Sequence, residues 1–242
     1  AAAKTSEAQP STRGIRLFIA ARSRIAESAL AAGVETRGVR QLVVLGAGLD
    51  TFAYRNPFAD RLAVFEVDHP ETQAWKRRRL AETGMAPPAS LTYAPVNFEH
   101  DDLLAALRAA GLDPGVRTFF TWLGVVPYLT REAIDATLGA LGGLEGGAEV
   151  VFDYSDPPAS LSEQARASHL ERAARVAALG EPFVSYFEPA TLHADLRRMG
   201  FDLIDDTGPR ALATRYFGLN ALLGRGLRDR GGHVIFAATA LA

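Results

Sequence analysis

The 242-residue sequence contains no cysteine. Disulfides, thiolate metal sites and cysteine nucleophiles are therefore excluded, and a cytoplasmic protein is expected. No run of 18 apolar residues occurs. The longest candidate, Phe119 to Leu129, is short and broken by Pro127, so no membrane span is expected. An excess of one charge is also lacking: 26 basic against 28 acidic residues give a formal net charge of −2. Binding to nucleic acid by phosphate neutralisation needs a basic surface, so a nucleic-acid partner is not expected. Lysine is nearly absent, at Lys4 and Lys76 only, a compositional skew toward arginine without functional meaning. No spacing of histidine and carboxylate points to a metal. Residues 1–10 lack the apolar core of a signal peptide and read as a tail.

What is present is globular. Hydrophobic residues make up 48% and charged residues 22%. The length suits one α/β domain over residues 1–242 with a large core. Continuous apolar runs at Leu42–Leu45, Leu62–Phe65 (extended by Val67), Thr118–Trp122, Val150–Phe152 and His233–Phe236 read as strands buried on both faces. Leu91–Val96 contains Pro95, which places it near a sheet edge or a strand end. Helical patterns lie between them: Pro70–Thr83, Asp101–Ala110, Thr130–Leu141 with Thr130 as N-cap, Ser160–Leu179 and Pro189–Met199. Alternation of this kind implies an open, doubly wound, mostly parallel sheet. A helix over about 11–36 and a helical insertion over about 155–200 are additions expected to cap the carboxyl ends of the strands, where ligands bind in this architecture.

The segment from Leu42 to Thr51, LVVLGAGLDT, carries the most information. A buried strand runs into Gly46-Ala47-Gly48 and is expected to continue into a helix. The glycines let the backbone bend sharply and approach a ligand closely. The third position of the dinucleotide fingerprint is Thr51 rather than glycine or alanine, which speaks against a pyrophosphate. The second strand ends Phe65-Glu66-Val67-Asp68-His69-Pro70, and an acidic side chain there reaches a ribose diol or caps the helix that Pro70 opens. His69 is expected to shape the same pocket. A nucleoside without phosphates fits this pattern, and S-adenosyl-L-methionine is one.

LGAGLDT, FEVDHPETQAWKRRRL and TWLGVVPYLT resemble the leucine carboxyl methyltransferase family. They are closer still to its bacterial branch of S-adenosyl-L-methionine-dependent methyltransferases, some of which O-methylate natural products. The likeness covers roughly residues 15–240. It implies the class I methyltransferase sheet, Rossmann-like and seven-stranded, with an antiparallel last strand over Val234–Ala238. It implies that Arg22 holds the methionine carboxylate, where a guanidinium fork suits the ligand. It implies that Gly46, Ala47 and Gly48 lie against the methionine moiety and that Asp68 binds the ribose. Asn97 and Phe98 take the places of the pair that contacts adenine, where Asn97 keeps an acceptor. Leu123 takes the place of a glutamate that contacts the methionine amino group. Either a backbone carbonyl of Thr121 or Trp122 serves instead, or this branch binds the cofactor differently.

Methyl transfer from a sulfonium depends mainly on positioning, which supplies roughly 7–11 kcal/mol. Trp122, Tyr128 and Tyr154 stand at or just after strand ends and are expected to line an aromatic wall for a cationic methyl donor, the tyrosines on the acceptor side. His169 and His193 read as surface helix residues, and Lys76-Arg77-Arg78-Arg79 as a solvated helix face. The expected activity is O-methylation of a carboxylate or hydroxyl of a small molecule. An NAD-dependent oxidoreductase and a catalytically silent binding protein of the same fold are the competing readings, the latter favoured by Leu123.

Overall fold

The computed structural model describes residues 10–223 and 232–241, with side chains over 14–216 and 232–241. Residues 1–9, read above as part of a tail, lie outside the described residues. The chain opens with α1 (Pro10–Thr36), followed by β1 (Gln41–Leu45), β2 (Ala63–Asp68), α2 (Pro70–Glu82) and β3 (Leu91–Pro95). Next come α3 (Leu103–Ala109), β4 (Thr118–Trp122), α4 (Arg131–Gly142) and β5 (Ala148–Ser155). The last third holds α5 (Glu163–Ala177), α6 (Pro189–Arg198), β6 (Leu203–Thr207), α7 (Pro209–Leu223) and β7 (Gly232–Ala238).

The seven strands form one sheet in the order β3-β2-β1-β4-β5-β7-β6. The first five are mutually parallel, while β7 runs antiparallel to both β5 and β6. β3, with its Pro95, is an edge strand as expected. Because side chains alternate along a strand, the apolar runs feed two cores. Leu42, Val44, Val64, Phe119 and Val151 pack with Leu30 and Val34 of α1. Val43, Phe65, Phe120, Trp122 and Phe152 pack with Ile134 and Leu138 of α4 and Leu192 of α6.

Helix starts follow the local chemistry. The side chains of Asp102, Thr130 and Ser162 accept from the third amide of α3, α4 and α5. α3 and α5 therefore begin later than their apolar patterns suggest, since Asp102 and Ser162 are caps and not helical residues.

Two departures matter for function. No α-helix follows Gly48; a single four-residue 3-10 turn, Phe52–Arg55, stands there. Asp50 causes this, because its Oδ1 accepts the Phe52 amide at 2.7 Å and closes a local turn that competes with helix. The stretch Lys76–Arg79 is not uniformly solvated either. Lys76 is buried, and its Nζ donates to Glu66 Oε2 on β2 at 2.7 Å and to the Asp50 carbonyl at 2.8 Å. Among the described residues, no helix is long and apolar enough to cross a membrane.

Candidate functional site

The carboxyl ends of β1, β2, β4 and β5 converge on the turn after β1. Gly46 has φ +67, and a Cβ there would lie 2.3 Å from Val125 Cγ2, so the turn packs directly on the loop after β4. The Ala47 amide donates to the Val67 carbonyl at 2.9 Å and ties the turn to β2. Gly48 donates its amide to Asp68 Oδ2 at 2.5 Å, and the other Asp68 oxygen accepts the His69 amide at 2.7 Å. Asp68 therefore clamps the glycine turn. It does not cap α2; His69 does, with Nδ1 accepting the Glu71 amide at 3.4 Å.

After β4 a second tight loop faces the first. Gly124 has φ +74, and a Cβ on it would meet the Arg22 guanidinium at 2.7 Å. The Gly124 amide donates to Asp153 Oδ1 at 2.6 Å, while Arg22 Nη1 donates to Asp153 Oδ2 at 2.8 Å. Burial pushes the Asp153 carboxyl up from its ordinary value, against the pull of Arg22. Arg22 comes from α1, Gly124 follows β4 and Asp153 ends the apolar run of β5, so one carboxylate joins three elements. Sequence reasoning missed Asp153. Its signal was the one that marked Asp68, an acid closing a buried strand.

Trp122 does not line an open wall: it is fully buried between Phe98, at 6.0 Å, and Phe152, at 6.3 Å, because the two-residue period of β4 turns it into the core, and its Nε1 has no hydrogen-bond partner. Phe98 is half-buried beside it. The Asn97 side-chain oxygen is engaged locally, accepting the Glu99 amide at 3.0 Å. Leu123 is half-buried and, with Ser23, Glu27, Asp50 and Thr121, lines a cavity of about 50 Å³ under α1. That space suits water and not a nucleoside.

Residues 183–187 fold back over the ends of β4 and β5. The Val184 amide donates to the Pro127 carbonyl at 2.8 Å and the Phe187 amide to the Ser155 carbonyl at 3.1 Å. Tyr128 lies 5.2 Å from Phe183, ring to ring, and burial pushes its phenol up. Tyr154 is not part of an open wall. It is 1% exposed, its hydroxyl donates to Asp206 at 2.6 Å and its ring stacks on His233 at 4.8 Å. His169 is not a surface residue; it is 2% exposed, with Nε2 2.9 Å from the Tyr186 hydroxyl and Nδ1 3.1 Å from Arg172. His193 is also engaged, 2.8 Å from Asp206.

A sheet of this order, with an antiparallel β7, a glycine turn after β1 and a carboxylate ending β2, defines the class I methyltransferase fold. Solved structures agree. A "putative methyltransferase" from Thermobifida fusca YX matches 96% of this chain and 83% of its own at 14% identity, with TM-score 0.66. Magnesium protoporphyrin IX methyltransferase from Synechocystis PCC 6803, with bound S-adenosylhomocysteine, matches 99% and 90% at 14% identity, with TM-score 0.54. The family model described as leucine carboxyl methyltransferase matches residues 1–142. The chain belongs to that family.

Among curated relatives, "Putative S-adenosyl-L-methionine-dependent methyltransferase YktD" of Bacillus subtilis (strain 168) is 34% identical over 184 residues, which are 74% of this chain and 60% of that protein. A "Putative S-adenosyl-L-methionine-dependent methyltransferase" of Mycobacterium avium (strain 104) is 36% identical over 142 residues, 59% of this chain and 45% of that protein. The chain thus spans about half the length of these relatives.

Proposed function

We propose that the protein is an S-adenosyl-L-methionine-dependent methyltransferase that methylates an oxygen, carboxylate or hydroxyl, of a small molecule. The observation that carries the reading is the Asp68 clamp. A carboxylate accepts about four hydrogen bonds, and Gly48 and His69 supply two of them. The remaining capacity, at the end of β2, suits a ribose diol. The positive φ of Gly46 and its seat against Val125 hold this turn in place at the strand ends.

The same geometry disfavours a dinucleotide. Pyrophosphate is stabilised at the N-terminus of a helix following the glycine turn, and here that place is taken by the four-residue turn Phe52–Arg55. The names of the relatives and the S-adenosylhomocysteine bound to the Synechocystis neighbour point the same way.

When bound, the cofactor would supply a methyl group on a sulfonium, the S–CH3 bond breaking to leave the thioether S-adenosylhomocysteine as the methyl–oxygen bond forms and any hydroxyl proton passes to solvent. The chain's own task is to bind and orient. Asp68 holds the ribose, Gly46, Ala47 and Gly48 admit the methionine chain, Phe98 flanks the base with Asn97 while Trp122 backs Phe98 from the core, and Arg22 meets the methionine carboxylate. Tyr128 and Phe183 provide aromatic surface for the acceptor, under the cap formed by the segment after β5. Because Tyr154 and His193 are both tied to Asp206 and His169 is tied to Tyr186, positioning is expected to dominate over proton transfer.

Calorimetry with S-adenosylmethionine, S-adenosylhomocysteine and NAD tests the reading. Binding of the first two and not the third is expected. Binding of NAD alone indicates an oxidoreductase, and binding of none a silent scaffold.

A further inference from the structure

The amino-acid end of the proposed ligand is a zwitterion, a carboxylate and an ammonium on one carbon. Leu123 offers the ammonium no acceptor. The register of the sheet shows where a carboxylate stands instead. β4 and β5 pair in parallel with Trp122 opposite Phe152, which sets position 123 opposite position 153. Opposite residues on neighbouring strands share a face. Phe119 and Val151 mark one face as the side of α1, and the two-residue period places Leu123 and Asp153 on it as well. A carboxylate absent from β4 is thus present one strand over.

Arg22 of α1 meets that carboxylate. Their side chains are 18% and 7% exposed, so both charges have lost most of their water. The contact is single rather than bidentate, through Nη1 only. Arg22 Nε is buried without a partner. Asp153 takes one further bond from Gly124, which leaves acceptor capacity on its oxygens. An ion pair that only fastened α1 to the sheet would gain from the side-on, two-bond geometry. A half-satisfied pair at the mouth of the glycine turn is what an incoming zwitterion completes, its carboxylate joining Arg22 and its ammonium joining Asp153.

We infer that Arg22 and Asp153 together read the zwitterion, with Asp153 of β5 accepting the ammonium in place of a residue of β4. This rests on the methyltransferase reading above and goes further by assigning the ammonium contact.

The test compares two ligands on two proteins by calorimetry: S-adenosylhomocysteine and its analogue lacking the α-amino group, on the wild type and on Asp153→Asn. Asparagine keeps the shape and the acceptor for Gly124 but loses the charge. S-adenosylhomocysteine is expected to bind the variant about 10- to 100-fold more weakly, as for a lost hydrogen bond to a charged group. The deaminated analogue is expected to bind both proteins alike. Equal weakening of both ligands overturns the inference and makes Asp153 a positioning residue for Arg22. Unchanged affinity for S-adenosylhomocysteine overturns it outright. Adding Leu123→Glu to Asp153→Asn returns a carboxylate to the same face and is expected to restore S-adenosylhomocysteine binding selectively.

If the wild type binds no S-adenosylhomocysteine, the methyltransferase reading falls first and the inference with it. If Asp153→Asn does not fold, a crystal structure of the wild-type complex decides. An amino nitrogen within about 3.2 Å of Asp153 supports the assignment, and one in contact with other residues alone refutes it.

Discussion

Lys76 ties a buried carboxylate of β2 to the turn after β1. Its partner Glu66 is 1% exposed, and burial raises the Glu66 carboxyl while the Lys76 ammonium opposes the rise. Removing one member of such a pair strands a charge in the core. Lys76→Met is expected to cost about 3–5 kcal/mol in urea denaturation. Replacing both, as Glu66→Leu with Lys76→Met, should recover most of that loss, because a buried pair and a well-packed apolar pair are often close in energy. The double variant still lacks the bond from Nζ to the Asp50 carbonyl, which steadies the turn after Gly48. Stability is therefore expected to return while affinity for S-adenosylhomocysteine stays below the wild-type value. Recovery of both would show that the turn does not need Lys76.

The visibility of site residues in the sequence follows the same logic. The turn at Gly46 and Gly48 and its partner Asp68 were legible as structure because a turn of positive φ and an acid at a strand end leave local signatures. Lys76, His169 and Tyr154 were misjudged because their burial depends on partners far along the chain, in β2, in the segment near Tyr186 and in β6. Asp153 lies next to a readable strand, but its meaning comes from Arg22, 131 positions earlier.

At the scale of elements, Thr130 illustrates a cap with two duties. Its hydroxyl oxygen accepts the Ala133 amide at 3.2 Å and its hydroxyl proton goes to Glu99 at 3.0 Å. Thr130→Ala is expected to cost about 1 kcal/mol, read from the urea midpoint. It should leave S-adenosylhomocysteine affinity unchanged, since Asn97 and Phe98 are held by contacts of their own with Asp101, Glu99 and Trp122. A large drop in affinity would mean that the Asn97–Glu99 loop depends on this contact.

The strands that sit in the middle of the sheet were plain in the sequence because burial on both faces demands continuous apolar runs. β6 was not. It is an edge strand whose residues Leu203–Asp206 are exposed or half-buried, and the consecutive acids Asp205 and Asp206 disguise it. α7 was overlooked for a related reason, lying between two short strands within a stretch with no strong period. The helix expected after Gly48 failed because Asp50 claims the Phe52 amide first.

At the scale of the whole molecule, one polar cluster joins the end of β5 to α6, β6 and β7, at the point where the segment over the site departs. Asp206 accepts from Tyr154, from His193 and from His233. His233 also faces Asp156, at 3.3 Å. Burial alone would push His233 down, but the carboxylates of Asp156 and Asp206 outweigh it and hold the imidazole at about 9. Burial would raise Asp206, yet the bonds from His233, Tyr154 and His193 lower it. The two signs set a pH window. The stabilisation from His233 is complete below its unfolded value near 6.5 and fades as pH rises through about 9. The stabilisation from Asp206 is present above its unfolded value and is lost only as pH falls through its lowered folded one. From pH 6.5 to beyond 9 the fold should therefore lose on the order of 3 kcal/mol from this cluster. Urea denaturation across that range measures it, and His233→Gln should flatten the alkaline limb while lowering stability at neutral pH. An unchanged alkaline limb in that variant would place the loss elsewhere. Because Asp156 begins the segment that closes over Tyr128, acceptor KM is expected to rise along the same limb before the fold itself melts.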